Sequence, residues 1–150
     1  MATTHRFEGR LHWRAGGTGV AAVNHELDFP GRPPVTLSSA PQYKGDPSCL
    51  SPEDLLVGAL SSCQMLSFLA LAGRAGVGIV AYDDEAVGTL AIADKKMRIT
   101  EVVLRPRITL APGADAAKAE QLVHSAHEIC FIANSVSCAV TIEPTIVAGA

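Results

Sequence analysis

Ser51 to Arg74, SPEDLLVGALSSCQMLSFLALAGR, constrains the rest of the chain most. It begins as a helix should. Ser51 suits the N-cap, Pro52 the first turn, and Glu53 and Asp54 complement the positive end of the helix dipole. Ser51 and Asp54 also have the spacing of a capping box, with Asp replacing the usual Glu or Gln. From there Leu55, Leu56, Val57, Leu60, Met65, Leu66, Phe68, Leu69 and Leu71 put apolar groups on nearly every face. A helix apolar all round is expected to be buried. Gly73, Gly76 and Gly78 mark its end. A single thiol, Cys63, sits in its middle.

A chain of 150 residues suits one domain, 1–150, with its own core. One sheet and one further helix cannot cover such a helix on all sides, so a homodimer with a large interface is expected. The formal net charge is −3 and no run of Lys or Arg stands out, which argues against a nucleic-acid or anionic-membrane partner. The N-terminal MATTHRFEGRLHW has no apolar signal core. The longest apolar run, 57–72, is broken by Gly58, Ser61, Ser62, Gln64 and Ser67, and reads as too short and too polar to span a bilayer. A cytoplasmic location follows as an expectation. Four cysteines (49, 63, 130 and 138) without a CxxC do not make a disulfide framework, so they serve packing or redox chemistry.

In chain order, residues 4–13 alternate as a half-buried strand. Gly16, Gly17 and Gly19 form a turn; no helix or GK[ST] follows to make them a phosphate loop. Val20 to Leu27 is expected as a second strand paired with the first, and Val35 to Ser38 as a third. Residues 40–50 approach the helix irregularly. Beyond it, Ile79 to Ala93 reads as a long strand kinked near Gly88, and Asp94-Lys95-Lys96 as a hairpin turn. Met97 to Leu110 returns, with a break at Pro106. Asp115 caps a second helix whose apolar positions 119, 122, 123, 126, 129 and 130 form one stripe. In the last strand, Ser135 to Val147, Val136, Cys138, Val140 and Ile142 share one face. The order βββ-α-ββ-α-β is an α+β fold.

Packing alone is the first explanation of Cys63, since free cysteine is among the most buried residue types. Two features point further. Ser61, Ser62 and Gln64 are unusual in an apolar helix, and Cys130 lies on the buried stripe of the other helix. Two such thiols can bond if their Cα atoms come within roughly 7 Å. Cys138 reads as core, and Cys49 suggests no role. Glu53 is explained by the helix dipole. Ten residues of helix are about 15 Å, so it cannot reach Cys63 on its own helix. It would have to serve a thiol from another subunit or through a bridging cation. His124, His127 and Cys130 drift around the helix and read as polar residues plus a core thiol, not a metal site. A cysteine-hydrolase pairing of Cys63 with a histidine lacks any local signature.

GDPSCLSPEDLLVGALSSCQMLSFL (45–69) and AHEICFIANSV (126–136) resemble the segments around the two cysteines of the OsmC/Ohr family of peroxide-reducing proteins. The resemblance implies an OsmC-like α+β fold: a central buried helix packed with a second helix against sheets, in an intertwined homodimer with active sites at the subunit interface. It implies thiol-dependent reduction of organic hydroperoxides, with Cys63 as peroxidatic cysteine, Cys130 as resolving cysteine and Glu53 as the motif glutamate. The partners implied are an organic hydroperoxide and a dithiol reductant of lipoyl or small-thiol type; no metal or organic cofactor is required. The chain departs from the pattern at Gln64, where this branch carries histidine. The family's thiol-polarising arginine also has no clear counterpart; Arg14 and Arg32 are the nearby candidates. Burial would raise the Cys63 pKa, so a cation is expected to hold its thiolate, with Glu53 orienting that cation. Leu66, Phe68 and Phe131 are expected as apolar walls favouring alkyl hydroperoxides. The alternative from a different class is an OsmC-like dimer that has lost peroxidase activity and binds an apolar small molecule.

Overall fold

A computed structural model describes residues 3–150. The chain divides into two compact units, 1–55 and 56–150, and the division falls inside the first helix. In the first unit, β1 (Arg10–His12), β2 (His25–Asp28) and β3 (Val35–Leu37) form an antiparallel sheet in that order. Val20 was expected to open a strand. Instead Gly19–Val23 is a 3-10 turn, and only His25–Asp28 pairs with β1. The local cause is a hydrogen bond from the Trp13 indole N–H to the Ala22 carbonyl, 3.1 Å, which binds the turn to the preceding chain. The approach to the helix is irregular as expected. The Asp46 carboxylate organises it by accepting from the Ser48 hydroxyl, the Asn24 amide and the Ser48 backbone N–H. These bonds hold its pKa down at about 2.

The helix α1 spans Pro52–Ala75. Its capping box is formed: Asp54 N–H donates to Ser51 Oγ (3.2 Å), and Ser51 N–H donates to Asp54 Oδ2 (2.8 Å). Its end is a Schellman motif. Gly76 takes φ +69°, its N–H donates to the Gly73 carbonyl, and Val77 N–H donates to that of Ala72.

In the second unit the three long predicted strands each divide. They give β4 (Ile79–Asp84) and β5 (Val87–Ala93), β6 (Lys96–Leu104) and β7 (Pro106–Leu110), and β8 (Ala139–Ile142) and β9 (Thr145–Val147). The breaks let one chain feed two sheets, β4-β7-β9 and β5-β6-β8. Asp94 and Lys95, both at positive φ, make the two-residue turn between β5 and β6. The helix α2 (Ala116–Ile129) lies in sequence between β7 and β8, and supplies the long connection that the parallel pairs β6/β8 and β7/β9 need. Asp115 caps it by accepting from Lys118 N–H at 3.0 Å.

One core cluster joins Phe68 and Ala72 of α1 to Ile108 and Leu110 of β7 and to Ala119, Leu122, Val123 and Ala126 of α2. The other joins Leu60 to Val102 and Leu104, with Val136, Cys138, Val140 and Ile142 packed against it. Cys138 is therefore a packing residue, as expected, although it lies just before β8 and not within it. The expectation that α1 is buried on every face fails in the single chain. Only Leu60, Gln64, Phe68 and Ala72 are fully buried, a stripe four residues apart. Leu66 stays 59% exposed and Leu69 38%, because the sheets and α2 of this unit cover one side only. The sequence reading of a helix too short and too polar for a membrane also needs correcting. By length and composition alone α1 could cross one, although its buried stripe places it in the protein core.

Candidate functional site: a thiol pair in the middle of one helix and at the end of another

The central buried stripe of α1 carries one polar residue, Gln64, beside Cys63. The Gln64 side chain donates from Nε2 to the Val123 carbonyl of α2 at 3.0 Å. This buried bond fixes α1 against α2 one residue away from the thiol. It would be wasted in a purely apolar contact, because the amide oxygen Oε1 is left buried without a partner among the described residues.

Cys130 is the C-cap of α2, where the helix gives way to a tight turn. Asn134 N–H donates to the Cys130 carbonyl (3.0 Å) and Ser135 N–H to that of Ile132 (2.9 Å). Such a turn leaves its first N–H groups free to face an anion. They face sulfur. Burial pushes the Cys63 thiol up, but the backbone N–H of Ile132, the Cys130 thiol, the backbone N–H of Phe131 and the Ser67 hydroxyl together bring it below the ordinary thiol value. Cys130 moves the other way. Burial raises it and the neighbouring Cys63 raises it further, against the N–H groups of Ala133 and Ile132. The two free thiols are neighbours that are driven apart in acidity. Cys63 is partly open while Cys130 is only 1% exposed. The arrangement suits an accessible nucleophilic thiolate next to a protonated partner thiol.

Within this chain the groups that lower Cys63 are backbone amides, a thiol and a hydroxyl. Among the described residues no arginine or lysine contributes to the shift of Cys63. Arg14 spends Nη1 on the Trp13 carbonyl (2.9 Å), and Arg32 spends Nη1 on that of Pro30 (3.3 Å). The sequence could not show this, because the segment 126–136 marks the second cysteine but not where its backbone N–H groups point. The expected apolar walls divide as well. Leu66 and Phe131 are exposed next to the thiols in sequence, whereas Phe68 points into the core and is not a wall.

Glu53 belongs to the first unit. It lines a cavity of about 340 Å³ with Trp13, Val23, His25, Ser38, Ser39 and Pro52. Its Oε2 is buried without a partner among the described residues. Neither Arg14 nor Arg32 lines that cavity; His25 does. Cys49 belongs to the loop clasp, its backbone N–H donating to the Asp46 carbonyl at 3.1 Å. His124 is exposed while Cys130 is buried, so these residues do not converge, and no group of three or more metal-binding side chains occurs among the described residues.

Residues 45–145 match the OsmC-like protein family. The chain belongs to this family. An OsmC-like protein of unknown function from Vibrio cholerae O1 biovar eltor is 31% identical. Its structure superposes with a TM-score of 0.87 over 95% of this chain and 100% of that one. An organic hydroperoxide resistance protein from Elizabethkingia anophelis, with crystallant-derived thiocyanate bound, is 17% identical. It has a TM-score of 0.75 over 99% of each chain, a likeness of fold. The uncharacterized protein YmaD of Bacillus subtilis is 21% identical over 135 residues, 88% of this chain and 87% of that protein. The α+β architecture implied by the sequence resemblance is thus the OsmC-like one.

Proposed function

We propose that residues 1–150 act as one OsmC-like domain and that the protein is a cytoplasmic, thiol-dependent peroxidase reducing organic hydroperoxides to alcohols. The observation that carries this reading is the pairing of two neighbouring thiols, one partly open and one buried, with opposite shifts, Cys63 made the stronger acid and Cys130 the weaker. The organic hydroperoxide resistance of a protein with the same fold supports it. The Cys63 thiolate attacks the distal oxygen of R–O–OH. The O–O bond breaks, RO⁻ takes a proton to leave as alcohol, and Cys63 becomes a sulfenic acid. The Cys130 sulfur then attacks the Cys63 sulfur. Its thiol proton leaves with the departing hydroxide as water, and a disulfide forms. A dithiol, of lipoyl or small-thiol type, restores both thiols by exchange.

Glu53 has a place in this scheme only as part of a homodimer. Its unpartnered carboxylate oxygen suits a cation, either His25 of the same cavity or a group from a second copy, held toward that copy's thiol pair. The exposed Leu66 and Phe131 favour alkyl over hydrogen peroxide. The engagement of Arg14 and Arg32 elsewhere favours the second reading, an OsmC-like dimer that has lost activity and binds an apolar small molecule. Turnover separates the two. The peroxidase consumes cumene hydroperoxide steadily with a dithiol, and Cys63→Ser abolishes consumption. Tight retention of an apolar ligand with no turnover by the intact protein would overturn it.

A further inference from the structure

Ser61 stands two residues before Cys63 and has no part in the thiol chemistry. At about 100° per residue the two lie roughly 200° apart around α1. They therefore flank the buried stripe of Leu60, Gln64 and Phe68 on opposite sides. The Ser61 hydroxyl donates to Oδ2 of Asp84, the last residue of β4. The other carboxylate oxygen, Oδ1, accepts from the backbone N–H of Arg105 at 2.7 Å. Arg105 is the residue between β6 and β7. Its Nε donates to Oε2 of Glu143, just after β8, at 2.9 Å, and Glu143 N–H donates back to the Leu104 carbonyl at 2.8 Å. One chain of bonds thus ties together the three corners at which strands divide between the two sheets, and Ser61 fastens α1 to it. Packing does not call for a serine here; alanine would fill the place and favour the helix.

The turn after Cys130 is held to the same frame, because Ile132 and Ala133 pack against the cluster of Leu60, Val102 and Leu104. The Gln64 amide joins α1 to the Val123 carbonyl at 3.0 Å. A single bond of that kind is a pivot about which a helix can still roll. A roll of about 20° carries a side-chain atom about 5 Å from the axis through about 2 Å, enough to break a hydrogen bond. Any roll that shifts the Cys63 sulfur also carries the Ser61 hydroxyl away from Asp84, so that bond resists it. The acceptor is a carboxylate, which makes the bond a strong one. We propose that Ser61, through its bond to Asp84, is a positioning residue that sets the roll of α1 and so holds Cys63 at the turn after Cys130. The inference rests on the thiol-pair reading of the site.

The test follows closure of the Cys63–Cys130 disulfide with diamide and the pH profile of Cys63 alkylation by iodoacetamide. Neither needs a hydroperoxide. Ser61→Ala, Asp84→Asn, the double variant and Ser61→Thr are compared with the parent protein. Ser61→Ala suits a helix and Ser61→Thr keeps the hydroxyl, so both are expected to fold. Loss of a bond to a charged acceptor is expected to slow closure about tenfold in Ser61→Ala and to move Cys63 alkylation to higher pH. Ser61→Thr is expected to restore both. The double variant is expected to close no more slowly than Asp84→Asn, because the two residues act through one bond. A lowered Tm in Ser61→Ala with parental closure and alkylation would mark a merely structural serine and overturn the positioning role. Slowing that Ser61→Thr fails to restore, or losses that add in the double variant, would also overturn it. A parent protein that closes no Cys63–Cys130 disulfide with diamide would instead overturn the thiol-pair reading, and the positioning role with it.

Discussion

At the scale of single residues, the chemistry rests on how N–H groups are spent. The turn after Cys130 uses two of its N–H groups on carbonyls and directs the others at two sulfurs. Cys63 is thereby the stronger acid when folded than when unfolded. It favours folding above the unfolded thiol value, and that contribution is lost as pH falls through the folded value. Cys130 has the opposite sign: its contribution is present below the unfolded value and is lost as pH rises through the folded one. The expected outcome is selective alkylation. Iodoacetamide at neutral pH should modify Cys63 first, at a half-maximal pH below the free-thiol value near 8.5, and reach Cys130 only at higher pH. Peptide mapping after timed quenching reads this order; equal rates at all four cysteines would contradict it. Cys63 and Cys130 were legible in the sequence as one thiol amid small polar residues in an apolar helix and another on the apolar stripe of the second helix. The amides were not, since backbone groups carry no letter.

At the scale of elements, the two helices were readable from their caps and spacing. Ser51, Asp54, Gly76 and Asp115 all do what their residue types allow. The strands were readable as apolar segments but not as pairs. Glu85-Ala86, Arg105 and the 143–144 corner divide runs that look continuous, and only tertiary pairing decides which half joins which sheet. Gly88 is one place where the packing required a particular residue. A Cβ there would meet Val57 Cγ2 at 2.6 Å, bringing β5 onto α1 too closely for any side chain. Gly88→Ala should cost about 1–3 kcal/mol, by analogy with other overpacked cores. Phe68→Ala, which empties the centre of the first cluster, should cost about 3–5 kcal/mol. Urea denaturation of the two variants measures both; an unchanged midpoint for either would show that the contact is not made.

At the scale of the whole molecule, the apolar surface of α1 is the unfinished part. Leu66 and Leu69 are exposed on a helix whose composition led to the expectation of complete burial. Phe7, Leu11 and Trp13 are exposed in the other unit. Patches of this kind mark an interaction surface, and a second copy of the chain is the occupant expected here. Light scattering should give twice the chain mass, and Leu69→Glu should halve it; a monodisperse monomer for the parent protein would contradict the homodimer. The family and its architecture were legible in the two cysteine segments, whereas the partner surface was legible only as more apolar helix than one chain can cover. The most direct test of the account is the state of the thiols after one equivalent of an organic hydroperoxide, mapped by mass spectrometry. The account predicts a Cys63–Cys130 disulfide, with Cys49 and Cys138 reduced. Both Cys63 and Cys130 recovered as free thiols, with the hydroperoxide unconsumed, would contradict it.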